Sequence, residues 1–550
     1  MDSAIGELVR GTIFDLKLRD IFGVVGGLIL VVGIIAYYTQ KPDEELLFKK
    51  LENLGLPIVG KGPQVNVSEA LEIGSKAYPE TPWILPVDRV PIVILPHSTI
   101  NTIKSLPEGE ISFEKEVYAR HLAHLVLRKD EKVFSDAILN SIKQDLTRNI
   151  AKTLDTLWDE VQYAFEKNIG RLPTDEEGWR TVPVYGKVLG IVAILSGRVF
   201  VGAPLCREEE WIRATIAYTL VLSGTVGMLW KRPWWQRPFL APIYFRTLNG
   251  VQAKAEKMLQ PLLEREAGSS GWEKKVGEQA DGQLISWLVS HTPRKPDGTI
   301  DLQELARNQL IVSLAAIHTT SITISHILYD LAAYPEHVAP LREELEAVIA
   351  ENTSRGGGGM LTKVELTKLW KMDSFIKESQ RMNPPIIGKH PKACKYIDAD
   401  RAIIVQMRRY LTAPLTLPSG HTLPAGTFCG VDAQATNRTV PYYDASRIRH
   451  RQEPFDKFDG FRFSKLRSVP GNEHRYQFVT SSTDSLNFGH GTHACPGRFF
   501  ASNEIKIAFA EVLMRWDVRL KPGEARPANL FMDTNVMPNM KGEVQMKRRV

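Results

Sequence analysis

The chain has 550 residues, 43% of them hydrophobic and 24% charged, with 40 Gly and 33 Pro. That composition excludes a disordered chain, a collagen and a coiled-coil rod, and it can bury a large core. The net charge of +6 gives no case for nucleic-acid binding, and a mean hydropathy of -0.17 excludes a polytopic membrane protein.

Residues 21–38, IFGVVGGLILVVGIIAYY, carry no charge. As a helix they would span roughly 27 Å, close to the hydrocarbon thickness of a bilayer. The run is longer than the ~7–15 residues of a signal-peptide core, and Tyr37 and Tyr38 stand where small cleavage-site residues belong. Residues 1–40 are therefore read as one N-terminal transmembrane anchor. Charges of both signs flank it and do not decide its orientation. Residues 41–62 read as a charged linker with a Pro/Gly hinge, leaving 63–550 as the catalytic body.

Within the body, β-branched and Pro-bounded residues 83–98 predict one or two strands. Apolar spacing of three and four predicts helices over most of 114–265. The stretch KRPWWQRPFLAP, residues 231–242, reads as a loop, either a surface corner packed by tryptophan or a lip touching membrane. A long helix is expected from 302 to 334, stopped by Pro335, with further helices over 335–352 and, in two pieces, 361–384. Short strands and turns follow. A last helix runs from Gly497 to about Arg515, ahead of a strand-rich tail. The fold class is mainly α with small β-sheets, without internal repeats and without nucleotide-binding glycine motifs.

The four cysteines (Cys206, Cys394, Cys429 and Cys495) stand far apart and make no disulfide framework. The informative one is Cys495, in NFGHGTHACPGRFF. It lies between a glycine-rich loop and a helix start, where Pro496 suits the first helical position. Unpaired N–H groups and the positive helix end favour a thiolate there. A thiolate in an apolar, glycine-walled pocket suits haem iron. By itself, a lone cysteine in a turn is more often a buried core residue.

The string resembles the haem-ligand loop of cytochrome P-450 enzymes, FxxGxxxCxG, matched by Phe488, Gly491, Cys495 and Gly497. The family usually has a basic residue two before the cysteine; here it is His493, which could contact a haem propionate. Two further motifs follow the family's order. Glu378 and Arg381 form ExxR on one helix face, and Arg462 of FDGFRF corresponds to the arginine that joins that pair. In SLAAIHTTS, residues 313–321, Ala315 and Ala316 leave room over the distal haem face. Thr319 matches the hydroxyl that assists oxygen activation. His318 replaces the usual acid and, titrating near neutrality, could relay protons. AxHTT is similar to a variant in fungal secondary-metabolism members of the ent-kaurene-oxidase-like type.

The resemblance implies the cytochrome P-450 fold with haem b held by Cys495. It also implies monooxygenation of a lipophilic terpenoid or polyketide-derived intermediate with O2. Electrons would come from NADPH-cytochrome P-450 reductase, with cytochrome b5 as a second candidate partner. The expected location is the endoplasmic reticulum membrane, single-pass, with the body facing the cytosol. Residues 387–403 break the family pattern as an anomalous insertion, which suggests an in-frame unspliced intron or a gene-model error. Skipping them makes Arg409 the candidate propionate contact. Two rivals stay open: a haem-thiolate isomerase or dehydratase, and a haem-binding protein inactivated by the insertion.

Overall fold

The computed structural model describes residues 50–60, 67–86, 90–126, 132–268, 283–384, 395–396, 405–432, 457–532 and 535–549, with 23, 25–28 and 31. Helices dominate. Those that build the site are α1 (Ile150–Phe165), α2 (Val184–Phe200), α3 (Glu209–Trp230) and α4 (Arg237–Tyr244). They are followed by α5 (Leu302–Ala333), α6 (Val338–Ser354), α7 (Trp370–Met382), α8 (Arg462–Arg467) and α9 (Arg498–Arg515).

α5 is the axis of the body, packed against α2, α3, α7 and α9. Asp301 caps its start, accepting the Glu304 N–H at 3.0 Å, and the chain leaves the helix at Tyr334, before Pro335. Its middle, HTTSITIS, is rich in residues with poor helix propensity. Hydroxyls there fold back on the preceding turn: Ser321 Oγ donates to the Ile317 carbonyl at 2.6 Å and Ser325 Oγ to the Ser321 carbonyl at 2.7 Å. Burial supplies the rest, since Leu305, Leu310, Ile317, Ile322 and Ile327 are all almost fully covered. Each such side chain contributes about 1.5–3 kcal/mol relative to exposure.

A mixed sheet lies to one side, built from β1 (Trp83–Leu85), β2 (Ile92–Leu95), β3 (Ile111–Ser112), β4 (Val405–Leu411) and β5 (Phe428–Asp432). The order is β1-β2-β5-β4-β3; β2 and β5 run parallel and the other pairs antiparallel. A register shift interrupts β4 between Gln406 and Arg409, with Met407 at a φ of 48°. Such a bulge re-aims the side chains that follow it.

Two strands appear within the expected 83–98, and the long helix and the last helix appear within a residue of their predicted bounds. Residues 231–242 differ from their reading as a loop: a short 3-10 turn at Trp234–Gln236 leads directly into α4. Pro238 occupies the first turn of α4, where a missing N–H costs nothing, so it starts a helix, while Pro242 sits inside the same short helix. The stretch 41–62 also contributes to the core. Leu51 and Leu56 are buried, and Pro57 and Val59 hydrogen-bond the two sides of Ile84. Of residues 387–403, only Lys395–Tyr396 are described, paired antiparallel with Leu530–Phe531. Most of the expected anchor lies outside the described residues. Those within it (Gly23, Val25–Leu28 and Val31) have helical backbone, with Val25, Leu28 and Val31 exposed.

Candidate functional site

Cys495 stands between a 3-10 turn at Gly491–His493 and α9. Its N–H donates to the Phe488 carbonyl at 2.7 Å, closing the loop on itself. Gly491 adopts a φ of 76°, and a Cβ there would collide with the Lys104 carbonyl, so only glycine serves. That same carbonyl accepts the Thr492 N–H at 2.9 Å. Phe488 and Phe478 meet in a T-shaped contact, with ring centroids 5.2 Å apart. Burial pushes the Cys495 thiol up, opposed by the N–H groups of Gly497 and Arg498 and by the Arg498 guanidinium.

α7 anchors this loop from behind. Glu378 has no exposed surface and accepts Arg381 Nε at 2.7 Å, Arg381 Nη2 at 2.8 Å and Arg462 Nε at 3.1 Å. The Asp459 N–H adds a fourth bond at 2.9 Å, and Arg462 Nη2 donates onward to the Lys457 carbonyl at 2.8 Å. The three expected residues are thus brought together. Sequence reading missed a second network one turn earlier. Asp373 accepts the Phe478 N–H at 2.8 Å and pairs with Lys506 of α9 at 2.5 Å. Lys377 donates to the Gln477 carbonyl at 2.9 Å and to Ser485 Oγ at 3.2 Å. Its burial lowers it to about 8. The acid and base at i, i+4 in DSFIK were the available signal.

Arg409 follows the β4 bulge and is buried. Among the described residues its guanidinium bonds the Arg408 carbonyl at 2.8 Å and lies 5.5 Å over the Phe113 ring. Burial lowers it to about 10. It stands near enough to His493 to lower that imidazole further, after burial. His493 Nε2 is 3.3 Å from Glu108. Arg409 and His493 are therefore neighbours.

The middle of α5 carries the remaining candidates. From Leu305 to Ala332 the helix is buried except at Arg307 and on one open turn: Leu314, Ala315, Ala316 and Thr319. Thr319 Oγ1 donates to the Ala315 carbonyl at 2.8 Å. His318 is not on that face. Its Nδ1 lies 3.3 Å from the Tyr185 hydroxyl of α2, with the Ile216 backbone of α3 as its other polar neighbour. Burial lowers it to about 4, so the ring is neutral at physiological pH. The stabilisation from a neutral His318 is fully present above pH 6.5 and fades as pH falls toward 4. His318→Gln should remove that part of the acid slope, read from melting temperature against pH.

Several observations fit a flat, dianionic macrocycle with an iron centre. Arg409 is a buried guanidinium, and His493 Nε2 is buried beside Glu108 but makes no hydrogen bond among the described residues. A Cβ on Gly497 would meet nothing nearer than Ile142 at 4.0 Å, which leaves space beside Cys495. One thiolate suits an iron whose other ligands arrive with a macrocycle.

Helix arrangement and thiolate loop together define a haem-thiolate fold. A solved structure described as retinoic acid bound cyanobacterial CYP120A1 superposes with a TM-score of 0.60, covering 90% of this chain and 99% of that one at 15% identity. The cytochrome P-450 family description matches residues 192–397 and 401–546. The chain belongs to the cytochrome P-450 family, its cofactor is a thiolate-ligated haem, and it is a monooxygenase. It is 73% identical over 537 residues to cytochrome P-450 monooxygenase BOA7 of Botryotinia fuckeliana, covering 97% of each chain. It is 40% identical over 546 residues to cytochrome P-450 monooxygenase ascG of Acremonium egyptiacum, covering 94% of this chain and 95% of that one.

Proposed function

We propose that this monooxygenase is anchored in the endoplasmic reticulum membrane and oxidises a lipophilic intermediate of fungal secondary metabolism, terpenoid or polyketide-derived. Electrons come from NADPH-cytochrome P-450 reductase, with cytochrome b5 as a second donor. The observation that carries the reading is the open turn of α5, within a stretch from Leu305 to Ala332 otherwise buried except at Arg307, whose accessible side chains are Leu314, Ala315, Ala316 and Thr319. Three are apolar and would take an apolar substrate; one offers a hydroxyl.

In this reading the Cys495 thiolate would hold the haem iron, and Arg409 and His493 would hold the propionates. Thiolate-bound haem supplies the activation of O2 for insertion into an unactivated C–H bond. Glu378, Arg381 and Arg462 fix α7 against the segment that precedes the cysteine loop. Thr319 holds and passes a proton at the open turn, its hydroxyl parked on the Ala315 carbonyl until needed. Thr319→Ala should keep haem content but uncouple turnover. Peroxide per NADPH should rise and product fall by about tenfold or more, within the range for a lost acid–base group. Unchanged coupling would remove Thr319 from this role.

Residues 1–40 act as the anchor and the folded body follows them. Met228, Phe239 and Ile243 are exposed apolar side chains at the end of α3 and on α4, and they support a second membrane contact beside Trp234 and Trp235. Deleting residues 1–40 should release the protein from microsomes at least in part, because about 18 apolar residues supply most of the insertion energy. Full retention would assign the binding to the α3–α4 lip. Residues 387–403 read as an unspliced intron or a gene-model error, although the family match breaks only at 398–400. Finding those codons in every mature transcript would refute it.

A further inference from the structure

Phe488 opens the cysteine loop, and the ring it packs on, Phe478, is almost fully buried. The stretch from Gln477 to Ser485 leads into that loop and meets it a second time, where Ser481 Oγ stands 3.4 Å from His490 Nδ1. Two side chains of α7 hold this stretch. Lys377 Nζ donates to the Gln477 carbonyl at 2.9 Å and to Ser485 Oγ at 3.2 Å, so it joins the two ends. Asp373 Oδ2 accepts the Phe478 N–H at 2.8 Å. The other oxygen of the same carboxylate, Oδ1, lies 2.5 Å from Lys506 Nζ on α9, the helix that starts just after Cys495. One carboxylate thus grips the chain before the loop and after it. Arg467 of α8 adds a further cation 3.6 Å from Oδ2, stacked at 4.3 Å on the Trp370 ring. Asp373, Lys377, Arg467 and Lys506 are all buried, where such charge-assisted bonds are stronger than in water.

We propose that Asp373 is the positioning residue of the cysteine loop: by tying the Phe478 N–H to Lys506 it fixes the loop against α9 and so sets where the Cys495 sulfur is presented. The proposal rests on the reading of Cys495 as the haem ligand. Asp373 makes and breaks no covalent bond in this role and touches no reacting atom. Its effect runs through two contacts. Phe478 carries Phe488, and Lys506 carries the helix whose first N–H groups, at Gly497 and Arg498, favour the thiolate. A loop free to shift against α9 would take the sulfur away from those donors. The Glu378 bonds run instead to Arg381 on α7, to Arg462 on α8 and to the Asp459 N–H. The two carboxylates of α7 therefore divide the work, one holding helix to helix and the other holding the flanks of the loop.

The test uses the full-length holoprotein and three variants. Asp373→Asn keeps an acceptor for the Phe478 N–H but loses the charge that Lys506 and Arg467 meet; Lys506→Gln loosens the α9 side alone. Arg526→Gln breaks a buried pair elsewhere, Arg526 Nε to Asp330 Oδ1 at 2.6 Å, and is the control for lost stability. In low urea, the thiolate-type reduced-CO band of Asp373→Asn should give way to that of a neutral ligand about tenfold faster than in the wild type, as for one lost charge-assisted hydrogen bond. Lys506→Gln should fall between the two. Arg526→Gln should keep the wild-type rate even where its melting temperature drops as far. Hydrogen exchange over 477–488 should quicken in Asp373→Asn and stay unchanged in Arg526→Gln. In the wild type itself, exchange over 477–488 and loss of the thiolate band should rise together with urea, which tests the link even where a variant fails to fold. Three results overturn the proposal: an Asp373→Asn band as durable as the wild type's, equal losses in Asp373→Asn and Arg526→Gln, or a wild-type segment that exchanges while the thiolate band is intact. A folded wild type that never shows the thiolate band overturns Cys495 as the ligand instead.

Discussion

Glu378→Ala is expected to yield a protein that neither folds stably nor retains haem. The carboxylate is fully buried and accepts from Arg381 at 2.7 and 2.8 Å, from Arg462 at 3.1 Å and from the Asp459 N–H at 2.9 Å. Removing it takes away the carboxylate shared by two buried guanidinium groups, 2% and 0% exposed. Breaking a buried pair this way costs about 3–5 kcal/mol, a large part of the roughly 5–15 kcal/mol that holds a typical domain folded. Glu378→Gln keeps an oxygen acceptor and should fall between the two. Urea midpoints and haem-to-protein ratios of the three proteins check the order. A Glu378→Ala protein with the wild-type midpoint would mean that the other partners of Arg381 and Arg462 suffice to hold them.

Cys495→Ser is expected to abolish monooxygenase turnover while sparing most of the fold. The loop that presents residue 495 is held by backbone groups and by the Phe488–Phe478 contact, none of which uses the sulfur. A serine oxygen donates far less charge to iron than a thiolate, so any haem it retains should lack the thiolate-type reduced-CO band. Melting temperature, haem content and NADPH-dependent product formation separate the loss of ligation from a loss of folding. Turnover surviving in Cys495→Ser would take the cysteine out of its role.

Much of this site was legible in the sequence because it is written in short-range patterns. Cys495 with its glycines is a contiguous string, and Glu378 and Arg381 share a helix face by spacing alone. The acid–base pair Asp373 and Lys377 had the same spacing, but i, i+4 charges are ordinary on helix surfaces, and only the fold shows that these two are buried against the cysteine loop. Glu504 of α9 was invisible for a related reason: its partner Ser196 lies on α2, far away in sequence. His318 shows the converse. Its neighbours along the chain suggested chemistry, but the helix rotates it onto Tyr185 of α2, a contact 133 residues distant. Pro238 in residues 231–242 suggested a break and instead opens α4, because the same ring that ends one helix suits the first turn of the next.

The most direct test of the account is the reduced-CO difference spectrum of the full-length protein purified from membranes, taken with a pyridine assay for haem. The account predicts one haem b per chain and the red-shifted Soret band of thiolate-ligated iron. A haem-loaded protein with the spectrum of nitrogen-ligated iron, or a folded protein that takes up no haem, would contradict it.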